Sequence, residues 1–239
     1  EFETDERVLN PVAKINGQFV QLGPQSGDSS GMKWRAVYEV TESSGTQDID
    51  SVTFEIVSLN DPAGNALGAS ANNTATTDTS KVRIDLSNPK VTDARLLSSN
   101  AAVNPAEYQG YKLARATDQV TLEFETDERV LNPVAKINGT EVSVTRQRDT
   151  DGSEITTGKK WQAVYEVTES GTEDIDSISF EVVSLNDPSG NAIGASANNT
   201  ATTDSSKVRI DLSAPRVTDA KLLSSNAAVN PAEYQGYKL

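Results

Sequence analysis

The stretch EFETDERVLNPVAKING spans Glu1–Gly17 and returns unchanged at Glu123–Gly139. KWRAVYEVTES from Lys33 then reappears as KWQAVYEVTES from Lys160, and VRIDLSNPKVTDARLLSSNAAVNPAEYQGYKL from Val82 as VRIDLSAPRVTDAKLLSSNAAVNPAEYQGYKL from Val208. Leu59 and Leu185, like Pro89 and Pro215, stand 126 positions apart. Helical solenoid repeats run to about 20 to 50 residues, so this period describes one whole domain per copy. The chain therefore has to fold as a tandem array. Nearer the start the offset is 122, because the hairpin after Gly139 is longer than the one after Gly17, which marks that hairpin as exposed.

Alternation within the copies indicates what each domain is made of. QVTLEFETD puts Val120, Leu122 and Phe124 on one face, with Thr121, Glu123 and Glu125 on the other. KWQAVYEV aligns Trp161, Ala163, Tyr165 and Val167; SISFEVV aligns Ile178, Phe180 and Val182; KVRIDL aligns Val208, Ile210 and Leu212. PKVTDARLLSS reads as a first strand, and the residues from Asn100 to Asp118 as a long polar excursion. PVAKI and EVSV flank Asn138-Gly139, a pair that tolerates positive φ and suits a type I′ hairpin turn. The fold class is all-β: tandem immunoglobulin-like antiparallel β-sandwich domains of about seven strands each, joined end to end. An odd number of strands brings the chain in at one pole and out at the other. The boundaries fall at 1–86, a unit without its first strand, 87–212, a complete unit, and 213–239, the first strand and loop of a third.

Composition excludes much of the common chemistry. Cysteine and histidine are both absent, which removes disulfides, thiolate and imidazole metal ligands, and Cys–His or Ser–His catalytic pairs. With 35 Asp and Glu against 21 Lys and Arg, the net charge of −14 opposes binding to nucleic acid and to anionic membrane surfaces. No apolar run approaches the roughly 18 residues of a membrane span, so no membrane insertion is expected in this segment. No signal peptide precedes the first strand, and the segment reads as internal to a longer protein.

VRIDLSAPRVTDAKLLSS across the unit boundary, the alternating TLEFETDERV strand and the SLNDPSGN loop together resemble the immunoglobulin-like extender repeats of giant repeats-in-toxin (RTX) biofilm adhesins of Gram-negative bacteria. The resemblance covers essentially the whole chain. It implies a stalk that carries a distal ligand-binding domain away from the cell, type I secretion to the bacterial surface, and Ca2+ stiffening the joints between neighbouring repeats. The lack of cysteine agrees with export of an unfolded chain.

Strand polarity locates such a joint independently. The loop ending in Asp48 and Asp50 and the exit at Asp85 lie at one pole of the first unit; Asp127, Glu128 and Asp187 lie at the facing pole of the second, near Asp93 on its entering strand. Asp174, Asp176 and Asp211 repeat the exit set one unit later. Calcium takes six to eight oxygen ligands, and carboxylates held close together repel one another unless a cation intervenes. The competing reading is that Asp is common in turns because its side chain bonds the local backbone. DTDGSE (Asp149–Glu154) imitates the start of a calcium loop but has no downstream Glu at EF-hand spacing and reads as a hairpin tip. Trp34 and Trp161 lie in phase with buried positions and read as core, not as a sugar platform; the TATTD stretches lack the regular spacing of a flat ice-binding array and read as loop.

Three functions compete on this reading: a non-catalytic structural spacer, a carbohydrate- or protein-binding module using its pole loops, and an enzyme with paired carboxylates. The spacer comes first, as the resemblance implies, and the enzyme last, because no cleft-forming insertion is evident for it. A sandwich without an edge strand exposes apolar surface and unpaired backbone, so the tail of one molecule is also expected to complete the head of another.

Overall fold

The computed structural model describes residues 1–41, 48–69, 71–100, 108–168, 174–195 and 197–223. The part of the third segment beyond Leu223 therefore lies outside the described residues, as do most of the loop before Asp48 and the start of the 100–118 excursion. The first copy contributes β1 (Phe2–Glu3), β2 (Leu9–Ile15), β3 (Gln18–Val20), β4 (Leu22–Pro24), β5 (Lys33–Ala36) and β6 (Phe54–Asn60). The second contributes β7 (Val91–Ser98), β8 (Tyr111–Ala114), β9 (Gln119–Thr126), β10 (Leu131–Ile137), β11 (Thr140–Val142), β12 (Val144–Arg146), β13 (Lys160–Glu166), β14 (Phe180–Asn186) and β15 (Lys207–Ile210). The described residues are all-β in character, with short 3-10 turns at Ala71–Asn73 and Ala197–Asn199 among them.

In the second copy an antiparallel sheet runs β12-β13-β9-β7, and a second sheet runs β11-β10-β14. β15 pairs in parallel with β8. It is tied to the chain entering β14 by the Ile175–Ile210 bridge and by the Ile178 amide, which donates to the Val208 carbonyl at 2.9 Å. The segment EVSV, a single strand by its alternation, divides at Ser143: β11 stays with β10 while β12 crosses to β13. The excursion read as loop contains β8, whose partner β15 lies almost a hundred residues downstream.

The two sheets close on one core because the alternating residues face inward. Val120, Leu122 and Phe124 of β9, Trp161 and Ala163 of β13, Val91, Ala94 and Leu96 of β7, Ile137 of β10, Phe180 and Val182 of β14 and Val208 and Ile210 of β15 form one buried cluster. Each large side chain so buried contributes about 1.5–3 kcal/mol. Asn138 and Gly139 both have positive φ (52° and 75°), the geometry of a type I′ turn, and Asn16 and Gly17 repeat it. The DTDGSE segment is a local hairpin tip: the Ser153 amide and hydroxyl both donate to Asp151, and the Gly152 amide to the Asp149 carbonyl.

The first copy builds the corresponding sheets β1-β5-β4 and β3-β2-β6 with a thinner core. Phe2, Ile15, Trp34, Phe54 and Leu59 are half-buried, whereas their equivalents Phe124, Ile137, Trp161, Phe180 and Leu185 are buried. The side chains are the same in both copies. The second has β7 and β8 laid over them, and no described strand does that for the first.

Pairing also fixes where the chain enters and leaves. β7 starts at Val91 opposite Thr126, the last residue of β9. Asp211, just beyond β15, donates its amide to Ala114, close to the Asp118–Val167 contacts that precede β9 and follow β13. Entry and exit thus lie at opposite ends of the sandwich.

Candidate metal centre at the unit junction

Three segments from two units converge at the entry end. Asp85 follows Ile84, whose amide and carbonyl both pair with Ile49 at the end of the first unit. Glu128 lies in the turn between β9 and β10, a turn closed by the Thr126 hydroxyl donating to the Glu128 carbonyl at 2.6 Å. Asp187 opens the turn after β14, where its amide donates to the Asn191 carbonyl at 3.1 Å. One carboxylate oxygen from each of Asp85, Glu128 and Asp187 lies within 4.8 Å of the other two.

The surroundings hold these oxygens in place. Asp187 is 2% exposed, and its carboxylate accepts the Asn191 amide and side-chain N–H, both at 2.8 Å. The same Asn191 side chain donates to the Asp85 carbonyl at 3.0 Å, a direct bond from one unit to the other. Asp85 keeps Oδ1 buried with no hydrogen-bond partner. A buried, unpaired carboxylate oxygen is costly, and its cost falls if a cation sits against it. Burial, and then the charges of Asp85, Asp187, Asp127 and Asp48, push the Glu128 carboxyl up to about 7.

The other acidic residues singled out by sequence occupy different positions. Asp127 is exposed and accepts the Lys90 amide at 2.8 Å, fastening the entering chain. Asp48 accepts the amides of Leu86 (2.8 Å) and Ser87 (3.1 Å) and the Ser87 hydroxyl (2.8 Å), so it clamps the linker; these donors, the Leu86 amide first, hold its carboxyl below the usual range. Asp174 makes the same clamp on Leu212 and Ser213, with the same downward shift. Asp50 pairs with Arg83 and Asp176 with Arg209, each at 3.5 Å, and both acids are exposed. Asp93 accepts a hydrogen bond from the Thr203 hydroxyl, and Asp211 accepts the Ser213 amide at 3.1 Å.

Asn191 is the participant that sequence reasoning passed over. It lies in the NDPSGN loop already placed at this pole, and its spacing from Asp187 is the available signal: an Asp followed four residues later by an Asn that bonds back to it closes a local turn.

The donor set suits a hard divalent cation. Three carboxylates supply oxygen only, with no nitrogen or sulfur ligand to favour zinc. An ion held there would touch Asp85 from one unit and Glu128 and Asp187 from the next. Comparison with protein-family models, with curated proteins and with solved structures found no match.

Proposed function

We propose that this chain is a non-catalytic spacer, a run of immunoglobulin-type units from a bacterial cell-surface adhesin whose junctions are stiffened by calcium. The observation that carries the reading is the Asp85–Glu128–Asp187 trio, contributed by two units and containing a buried Asp85 oxygen without a partner. A linker that would otherwise be a hinge has three carboxylates aimed at one point, and a bridging ion of six to eight oxygen ligands ties the units together there. The remaining ligands would come from water and backbone carbonyls.

Strand order supports the immunoglobulin-type assignment. β7, β9, β13 and β12 follow the order of strands A, B, E and D in one sheet, and β10 and β14 that of C and F in the other; β15, paired in parallel with β8, comes after β14 in the chain as G comes after F. Entry and exit at opposite ends support extension over folding back. The adhesin assignment, type I secretion and an extracellular address at the bacterial surface rest on the resemblance of the unit boundary and of the TLEFETDERV and SLNDPSGN segments to RTX extender repeats.

Small-angle scattering of the 239-residue chain, with calcium and with a chelator, tests the reading. Calcium should lengthen the maximum dimension and sharpen its distribution, and Glu128→Gln should remove that response. Identical scattering under both conditions, together with saturable binding to a glycan array, would favour the alternative of a binding module.

A further inference from the structure

Strand β7 lies at the edge of its sheet, and its outer backbone groups are met by a loop instead of a strand. The Ala94 amide donates to the Thr203 hydroxyl at 3.2 Å, and the Thr203 amide to the Ala94 carbonyl at 2.8 Å. The Leu96 amide donates to the Ser206 hydroxyl at 2.7 Å, and the Asn198 side chain to the Val91 and Thr92 carbonyls at 3.1 and 3.3 Å. The same stretch begins against the edge of β14, where Ala192 bridges Asn186 and the Ile193 amide donates to the Leu185 carbonyl at 2.9 Å. Residues 191–195 and 197–206 thus form a strap across the side of the sandwich between β14 and β7. Internal bonds shape it: the Thr202 hydroxyl donates to the Ser206 carbonyl at 3.0 Å and the Asn199 side chain to the Gly194 carbonyl at 3.4 Å. The first copy repeats both, between Thr76 and Ser80 and between Asn73 and Gly68.

We propose that this strap opens and closes on the edge of β7 as one piece, and that its latch is the unit junction. The strap's first residues hold that junction. The Asn191 side chain donates to the Asp85 carbonyl of the preceding unit at 3.0 Å and to the Asp187 carboxylate at 2.8 Å, and the Gly194 amide donates to the Pro89 carbonyl of the linker at 2.8 Å. Gly194 lies this close to the linker because it has no side chain: a Cβ there would meet Asn88 Cβ at 3.3 Å and Lys90 Cγ at 3.4 Å. Past that point the strap holds β7 through side-chain groups and the Thr203 amide, each bond worth about two- to tenfold in an equilibrium, so it opens far more readily than the unit unfolds. With the junction formed, the strap stays shut. A unit drawn away from its neighbour loses the Asn191–Asp85 bond and loosens the turn beside Pro89, and the β7 edge is then freed as a strand-accepting surface.

Amide hydrogen exchange of the 239-residue chain, followed by NMR in chelator so that the result does not turn on calcium, tests this with neighbouring amides as controls. Ala94 and Leu96 donate to the strap, and by strand alternation the amides of Arg95 and Leu97 face β9. Removing the latch with Asn191→Ala, or pushing the strap off the linker with Gly194→Val, should speed exchange at Ala94 and Leu96 together by about tenfold, while Arg95 and Leu97 keep their protection within about twofold. Protection retained at Arg95 and Leu97 shows that the variant is folded. Exchange unchanged at Ala94 or at Leu96 in these variants, or equal acceleration at all of these amides, would overturn the proposal: the first would mean that the junction does not hold the strap as one piece, the second that the strap does not open apart from its unit.

Discussion

At Glu128 the fold holds a carboxylate where burial and four neighbouring acids oppose its charge. Its pKa rises from an ordinary 4.5 to about 7, so between those values the folded chain keeps a proton that the unfolded chain gives up. For this group stability is greatest below 4.5, declines as pH rises toward 7 and stays reduced above it. In chelator at pH 8, Glu128→Gln should therefore melt at a higher temperature than the parent, by an amount worth about 1 kcal/mol once solvent screening is allowed for. The two should converge in acid, and calcium should reverse their order at pH 8. Asp48 has the opposite sign: its carboxyl is lowered by the linker amides, so its contribution is present at neutral pH and is lost as pH falls below the usual carboxylate range. Thermal melts across pH for the parent and Asp48→Asn check this, the variant losing the acid-limb dependence that belongs to the clamp. The sequence identified the acidic pole and could not divide its members. Asp48 and Glu128 are both acids in turns; what separates them is that Asp48 meets three donors from the linker while Glu128 meets other carboxylates, and those are tertiary facts.

Among the elements, those with strict alternation were legible. β9 buries Val120, Leu122 and Phe124 and β13 buries Trp161 and Ala163 as alternation assigns, with Tyr165 only half-buried against the core, and the Asn138-Gly139 turn has the positive φ values its chemistry suggests. Gly139→Val should cost about 1–3 kcal/mol in chemical denaturation, because a β-branched side chain is strained at φ 75°. β8 was not legible. It is short, it lies within a polar stretch, and its partner β15 lies far along the chain in a parallel pairing that local periodicity cannot encode. The sheet change at Ser143 was hidden for a related reason: alternation continues through EVSV although the hydrogen-bond partner changes. Comparison of the copies shows how much the covering strands matter. Phe124→Ala should cost about 3–5 kcal/mol, and Phe2→Ala distinctly less, since Phe2 is only half-buried in the same sequence context. Urea unfolding of both variants measures the difference.

For the whole molecule, the repeat gives two bodies of similar sequence, and within these 239 residues their burial is unequal. The second unit has one large buried cluster with β7 and β8 in place; the first has the same apolar residues facing an open groove. Native-state hydrogen exchange should find the amides of β10 and β14 protected more strongly than those of β2 and β6, and heating should melt the first unit before the second. What joins the bodies is a short linker and the Asn191–Asp85 bond, and the carboxylate trio lies between them. The repeat period was plain in the sequence, whereas which carboxylates meet at the junction was not, because that depends on how two units meet.

Calorimetric titration of calcium into the 239-residue chain, beside Glu128→Gln, tests that junction most directly. A calcium-bridged junction predicts saturable binding in the parent, with a heat that depends on the buffer near pH 7 because Glu128 releases its proton, and at least about tenfold weaker binding in the variant, a loss of one charged oxygen ligand. Absence of binding in the parent, or superimposable isotherms from the two proteins, would contradict a calcium-bridged junction.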